Sequence, residues 1–224
     1  MSTLRPLQGA PLPCLVSLPA AAAVTAATWP VLCFLHGYDE AAPMPLRDGV
    51  TRHGPLRPGS SPLATSEFVV VAPQLPRAGD VWAQYADAVR EIVRRVQAEH
   101  GGDPARTYLT GFSFGGNGAL DLGIAQPEPW AALWPVDPTR VPRGPVAQPV
   151  WLSVGGVARR ATSAFVRSMD LVQAKGDAPE GDRLWLDEGE DHVGSATLAY
   201  RDDRIYRWLL ARQLAPRDPT STER

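Results

Sequence analysis

Ser113 stands in Gly111-Phe112-Ser113-Phe114-Gly115, a G-x-S-x-G pattern. A serine hydroxyl is a weak nucleophile and needs an adjacent base to take its proton. The chain has four histidines, His36, His53, His100 and His192. His192 is the expected base, because it lies far downstream of Ser113, after the final strand, in the order Ser…acid…His. Imidazole does this work at neutral pH without a large shift of its own. Two plainer readings stand beside this one: a Gly-rich turn whose serine merely caps a helix, and a surface histidine in the acidic stretch Asp187-Glu188-Gly189-Glu190-Asp191.

For Ser113 to act, a strand must feed a helix at this point. Thr107–Thr110 reads as the strand, and a helix is expected from just after Ser113 towards Gln126, stopped by Pro127. Gly111 and Gly115 suit a turn too tight for a Cβ. The hydroxyl would then project above the strand ends, at the positive end of a helix dipole. The backbone N–H of Phe114 is one expected oxyanion donor. The second is expected from the loop after the strand Val31–Leu35, which continues His36-Gly37-Tyr38-Asp39, with the N–H of Tyr38 as candidate. His36 should pack beneath that loop rather than serve as base, and His100 should end a helix, where the dipole favours it.

The third member is less direct. The loop after Val150–Val154 reads Gly155-Gly156-Val157-Ala158-Arg159-Arg160 and contains no carboxylate. Asp137, at the end of the strand before it, is the expected substitute, since active groups of open α/β sheets gather at the carboxyl ends of strands. Asp170, Asp177 and Glu180 are alternatives. A turn-capping role for Asp137 before Pro138 is another, and a Ser–His pair without any acid is the last.

The remaining strands are expected at Leu12–Leu18, Phe68–Ala72, Ala131–Val136 and Leu184–Leu186. Continuous apolar runs such as Phe68-Val69-Val70-Val71 suit strands buried on both faces. Helices are expected at Asp80–His100, Thr162–Lys175 and Asp203–Gln213. In the first, Trp82, Tyr85, Val89, Ile92, Val93 and Val96 form one stripe at helical spacing, and Gly101-Gly102 ends it. Asp39–Ser66, rich in proline and glycine, should be a long loop with at most short helical pieces. Strands alternating with helices imply an α/β fold with a mostly parallel sheet covered on both faces. One domain is expected over residues 1–214, with a polar tail over 215–224.

Composition narrows the classes. The chain has 224 residues, 44% of them hydrophobic and 21% charged, with a net charge of −2. That balance gives no general pull towards nucleic acid or an anionic membrane. Lys175 is the only lysine, and the arginines are spread rather than clustered. Cys14 and Cys33 lie in apolar runs and read as free buried thiols, a bridge between strands being the alternative. No run is long enough to span a bilayer. The Ala-rich stretch Ala20–Ala27 hints at a cleavage region, but Pro11, Pro13 and Pro19 interrupt the apolar segment before it, so a cytoplasmic protein is expected, with a secreted one as the alternative. No pair of His, Cys or acidic residues has ligand spacing on one element, so no metal is expected, and no nucleotide cofactor is expected either. Nothing in the sequence speaks to oligomeric state.

With these motifs in place, the chain resembles the α/β-hydrolase superfamily, and within it compact bacterial esterases of the predicted-peptidase and phospholipase/carboxylesterase-like kind, related to polyhydroxyalkanoate-depolymerase-type esterases. The resemblance runs through Val31–Gly37, Arg52-His53-Gly54-Pro55, Phe68–Pro76 with its Ala72-Pro73-Gln74, Trp82, Asp103–Gly116, Tyr200 and Ile205–Leu210. It implies an α/β-hydrolase fold without a cap domain, Ser113 as nucleophile, His192 as base, and Gln74 and Trp82 lining the mouth of the site. The family's acid falls near Ala158, behind a histidine-glycine pair, whereas here Val154-Gly155 precede no acid. The aromatic usual three residues past the base is Ser195, which should widen the cleft beside His192. The implied activity is hydrolysis of carboxylic esters of small or soluble substrates, aromatic acyl groups among them, through a Ser113 acyl-enzyme. Peptide or amide hydrolysis would use the same residues. A catalytically impaired scaffold acting as a binding protein is the alternative from another class.

Overall fold

Alternating side chains on the central strands divide the core into two layers. On β3 (Trp29–Leu35), Val31, Cys33 and Leu35 join one cluster while Leu32 and Phe34 join the other. On β4 (Val69–Pro73), Val69 and Val71 face the first and Val70 and Ala72 the second. This period of two is what a strand with both faces covered must show. The computed structural model describes residues 3–23, 28–157 and 162–215.

Among the described residues the sheet has nine strands. The others are β1 (Thr3–Pro6), β2 (Cys14–Leu18), β5 (Gly102–Phe112), β6 (Ala132–Val136), β7 (Val150–Val154), β8 (Val172–Gln173) and β9 (Arg183–Asp187), in the order β1-β2-β4-β3-β5-β6-β7-β9-β8. β1 and β2 run antiparallel to their neighbours and the rest are parallel. The helices are α1 (Leu46–Arg52), α2 (Leu63–Ser66), α3 (Ala86–His100), α4 (Phe114–Ala125), α5 (Thr162–Met169), α6 (His192–Ala199) and α7 (Asp203–Leu210). Apolar residues of α3, α4 and α5 belong to the first cluster, and those of α1, α2, α6 and α7 to the second, so both faces are covered. Parallel strands with such cover send their carboxyl ends to one rim, where β3, β5, β6, β7 and β9 open into loops.

Several boundaries differ from expectation. The helix expected from Asp80 begins as a 3₁₀ turn, Trp82–Tyr85, and becomes α-helical only at Ala86. The helix expected to reach Lys175 stops at Met169. Asp170 takes a left-handed φ of 53°, and the Leu171 amide returns to Val166 O at 2.9 Å. That six-to-one bond closes a helix end, and it frees Val172 and Gln173 to pair with β9 as an edge strand. The 39–66 stretch carries α1, α2 and a 3₁₀ turn, Tyr38–Glu40. β1, an edge strand on β2, was not expected.

Both cysteines are free and buried, Cys14 on β2 and Cys33 on β3 with β4 lying between those strands. Burial pushes the Cys14 thiol up to about 12 and raises that of Cys33 as well. The thiolate is the reactive form. Iodoacetamide at pH 8 should therefore leave both cysteines unmodified in the native protein and alkylate both after unfolding. A native protein whose mass rises by one adduct would contradict the packing described.

Candidate active site

The turn between β5 and α4 is built by exclusion of side chains. A Cβ on Gly111 would lie 2.2 Å from Gly115 O, and one on Gly115 would lie 1.8 Å from Leu35 O. The turn is thus pressed against the end of β3, and only glycine fits at either place. Ser113 between them has φ 58° and ψ −115°, a left-handed φ that costs a non-glycine residue about 1–3 kcal/mol. Two backbone bonds hold it there: Ser113 N donates to Val136 O at 2.9 Å, and Asn117 N donates to Ser113 O at 3.0 Å. The carbonyl of Val136 ties the serine turn directly to the residue before Asp137.

Asp137 leaves the end of β6 with a φ of 42°, its N–H donating to Ser153 O of β7 at 2.7 Å. Its side chain is 0% exposed. One carboxylate oxygen accepts from Gly155 N at 3.4 Å, and the other meets His192 Nδ1 at 2.5 Å. His192 Nε2 in turn lies 2.9 Å from Ser113 Oγ. A carboxylate at Nδ1 fixes the proton there and leaves Nε2 as the acceptor for a serine proton. His192 opens α6, whose N-cap Asp191 accepts from Gly194 N at 2.7 Å.

Of the acids weighed from sequence, the structure brings Asp137 to the histidine. Asp170 is the left-handed residue closing α5, and Asp170, Asp177 and Glu180 are exposed. Ala158, where the resembled family has its acid, lies outside the described residues. What the loop after β7 supplies here is a backbone amide, that of Gly155. A Cβ on Gly155 would lie 2.4 Å from Glu190 O, so this glycine lets the segment bearing His192 settle onto the end of β7. Ser195 is buried, 3.1 Å from that Cβ position, and its hydroxyl donates to His192 O at 2.9 Å. The expected widening of the cleft beside His192 is therefore corrected: Gly155 occupies the space that a larger side chain would take.

The loop after β3 runs alongside the serine. A Cβ on Gly37 would be 3.4 Å from Ser113 Cβ. His36 is fully buried, and its Nε2 accepts from Leu75 N at 2.9 Å. A backbone N–H can only donate, so the ring proton sits on Nδ1, which donates to Gly37 O at 2.6 Å. In a trans peptide the N–H points away from the C=O. His36 thus sets the direction of the Tyr38 N–H through the carbonyl of the same peptide. Burial lowers the His36 pKa to about 4, which keeps the ring neutral at pH 7 and the tautomer fixed. Phe114 is the first residue of α4, where an N–H has no partner within the helix. Its ring meets that of Tyr38 edge-on at 5.2 Å.

Gln74 and Trp82, expected at the mouth, are both buried. Gln74 Nε2 donates to Glu40 O and Met44 O, each at 2.9 Å, and Trp82 Nε1 donates to His36 O at 3.1 Å. Their polar ends are spent on main-chain carbonyls, so they brace the loop after β3 from below instead of lining the mouth. Sequence reasoning missed Asn117, whose side chain accepts from Thr139 N at 2.9 Å and joins α4 to the segment after Asp137. It also missed Phe112, whose ring lies 4.6 Å from that of His192 and 5.0 Å from that of His53. Position next to the nucleophile was the available signal for Phe112; Asn117 had none. A separate cleft of about 890 Å³ at the start of β5, lined by Arg90, Arg94, Gln97, Pro104 and Leu214 among others, includes no serine or histidine among the described residues.

No family model matches the sequence, and no curated protein matches it. Among solved structures the chain is similar to one described as the crystal structure of a thermostable esterase, with a TM-score of 0.69 and 20% sequence identity over 95% of this chain and 63% of that chain. The chain thus spans a little under two thirds of its neighbour's length. With the mostly parallel sheet, that likeness shows an α/β-hydrolase fold.

Proposed function

We propose that this protein is a serine hydrolase cleaving carboxylic esters of small or soluble substrates through a Ser113 acyl-enzyme. One observation carries the reading: the continuous line from the Asp137 carboxylate through His192 to Ser113 Oγ, with contacts of 2.5 and 2.9 Å. In the proposed reaction His192 Nε2 takes the Ser113 proton as Oγ bonds to the ester carbonyl carbon. Asp137 keeps the imidazole in the required tautomer and stabilises the imidazolium that forms. The N–H groups of Phe114 and Tyr38 hold the oxyanion. His192 returns its proton to the leaving alkoxide, and the acyl group stays on Ser113. A water then gives His192 a proton as its oxygen bonds to the acyl carbon, and His192 passes that proton to Ser113 Oγ as the acyl–Oγ bond breaks, releasing the acid and free Ser113. The neighbour described as an esterase adds support of a general kind.

A fluorophosphonate probe should add one adduct to the native protein, mapped by peptide mass to Ser113. The protein should hydrolyse p-nitrophenyl butyrate and act far more slowly on the matching p-nitroanilide. Faster cleavage of the anilide would move the reading to amide hydrolysis. No adduct and no turnover of either substrate would leave a binding scaffold in its place.

A further inference from the structure

The residue beside Ser113 in the loop after β3 is a glycine, Gly37, and glycine is the least restrained of residues. At Gly37 the Glu40 carboxylate stands where a side chain would begin: a Cβ there would lie 2.7 Å from Glu40 Oε2 and 3.4 Å from Ser113 Cβ. Rigidity at this point must come from groups that hold its backbone from outside. His36 holds the Gly37 carbonyl. The Glu40 carboxylate lies against Gly37, its Oε2 at the place a Gly37 Cβ would take, and the nearby Gly37 and Glu40 N–H groups favour its charged form.

Glu40 closes the 3₁₀ turn that begins with Tyr38, and it is only 4% exposed. A carboxylate so placed needs partners to remain charged. Arg52 Nη1, at the end of α1, lies 4.0 Å from Oε1 and carries the countercharge, while His53 Nε2 packs 3.5 Å from the same oxygen with a ring that burial keeps neutral, its pKa lowered to about 4. The main chain is fixed as well. Glu40 O accepts from Gln74 Nε2, and it passes so close to Gly49 that a Cβ there would lie 2.4 Å away. Burial raises the Glu40 pKa and Arg52 opposes that rise. The guanidinium also offsets a negative charge that would otherwise repel the oxyanion.

We propose that Glu40 is a positioning residue for the oxyanion loop: its carboxylate, countered by the Arg52 guanidinium, clamps the Gly37 amide and so fixes the direction of the Tyr38 N–H. The effect on rate rests on the esterase reading; the clamp itself does not. With both peptide groups of Gly37 pinned, Tyr38 N–H waits in place for the oxyanion and no reorganisation is needed as charge develops.

The test uses Glu40→Ala, Glu40→Gln and Arg52→Gln, with hydrogen exchange read at the Gly37 and Leu109 amides and kcat and KM read on p-nitrophenyl butyrate. In Glu40→Ala, exchange at Gly37 should accelerate by about tenfold or more, while Leu109 in β5 keeps its protection. The kcat should fall by roughly 10- to 100-fold with little change in KM, because the loop acts on the transition state rather than on ground-state binding. Glu40→Gln, which can still accept from Gly37, should restore most of both. Should Glu40→Ala fail to fold, Arg52→Gln, on a half-exposed side chain, should move both readouts in the same direction by a smaller factor. Unchanged Gly37 exchange in the variants overturns the clamp, and so does faster exchange with unchanged kcat. Faster exchange in a protein that hydrolyses no ester and takes no fluorophosphonate supports the clamp and removes the esterase reading.

Discussion

Ser113→Ala should lower kcat for p-nitrophenyl butyrate by about 10⁶-fold, abolish fluorophosphonate labelling, and leave a folded protein. The substitution deletes one oxygen, whose partner is His192 Nε2 at 2.9 Å. The bonds that shape the turn, Ser113 N to Val136 O and Asn117 N to Ser113 O, are both main-chain and survive. Alanine meets the same left-handed φ as serine did, so the turn should cost the variant little beyond what the wild type already bears. The residual rate would reflect the Phe114 and Tyr38 amides acting on water attack, which in comparable sites retains some 10³- to 10⁴-fold over the uncatalysed reaction. Turnover within about tenfold of wild type would show that another nucleophile carries the reaction.

How far the sequence foretold this arrangement depends on the range over which each signal acts. Ser113 and the turn around it were legible because Gly111 and Gly115 mark a local steric demand: their missing Cβ atoms leave room for Gly115 O and Leu35 O. The strands themselves were legible where runs such as Val69–Val71 are buried on both faces. Asp137 could be reached by elimination, since the loop after β7 offered no carboxylate, but its fit depends on a Val136 carbonyl and a Gly155 amide that only the folded sheet brings near. Gln74 and Trp82 were misread for the same reason. Being near the site in sequence pattern does not tell whether a polar end faces solvent or a main-chain carbonyl. The end of α5 was illegible because an aspartate, not a glycine, takes the left-handed position there. Glu40 lay in a proline-rich stretch with no periodicity, so nothing separated it from a solvated loop acid.

Asp137→Asn should lower kcat by about 10⁴-fold while changing KM little. Asparagine matches the aspartate in size, and its carbonyl oxygen can still accept from Gly155 N, so the fully buried position should tolerate it. What changes is the group facing His192 Nδ1. The aspartate can only accept there, which holds the ring proton on Nδ1 and leaves Nε2 open to the Ser113 proton. An asparagine can present its NH₂ instead, favouring the tautomer with the proton on Nε2, which cannot act as the base. The imidazolium formed during attack also loses its countercharge, and both effects act on the chemical step. Asp170→Asn, Asp177→Asn and Glu180→Gln should each keep kcat near wild type, because these side chains are exposed and Asp170 serves the end of α5. A full kcat in Asp137→Asn, or a large loss in any of the other three, would move the acid away from β6. The comparison therefore reads directly whether a carboxylate on the strand beside the nucleophile has replaced one from the loop after β7.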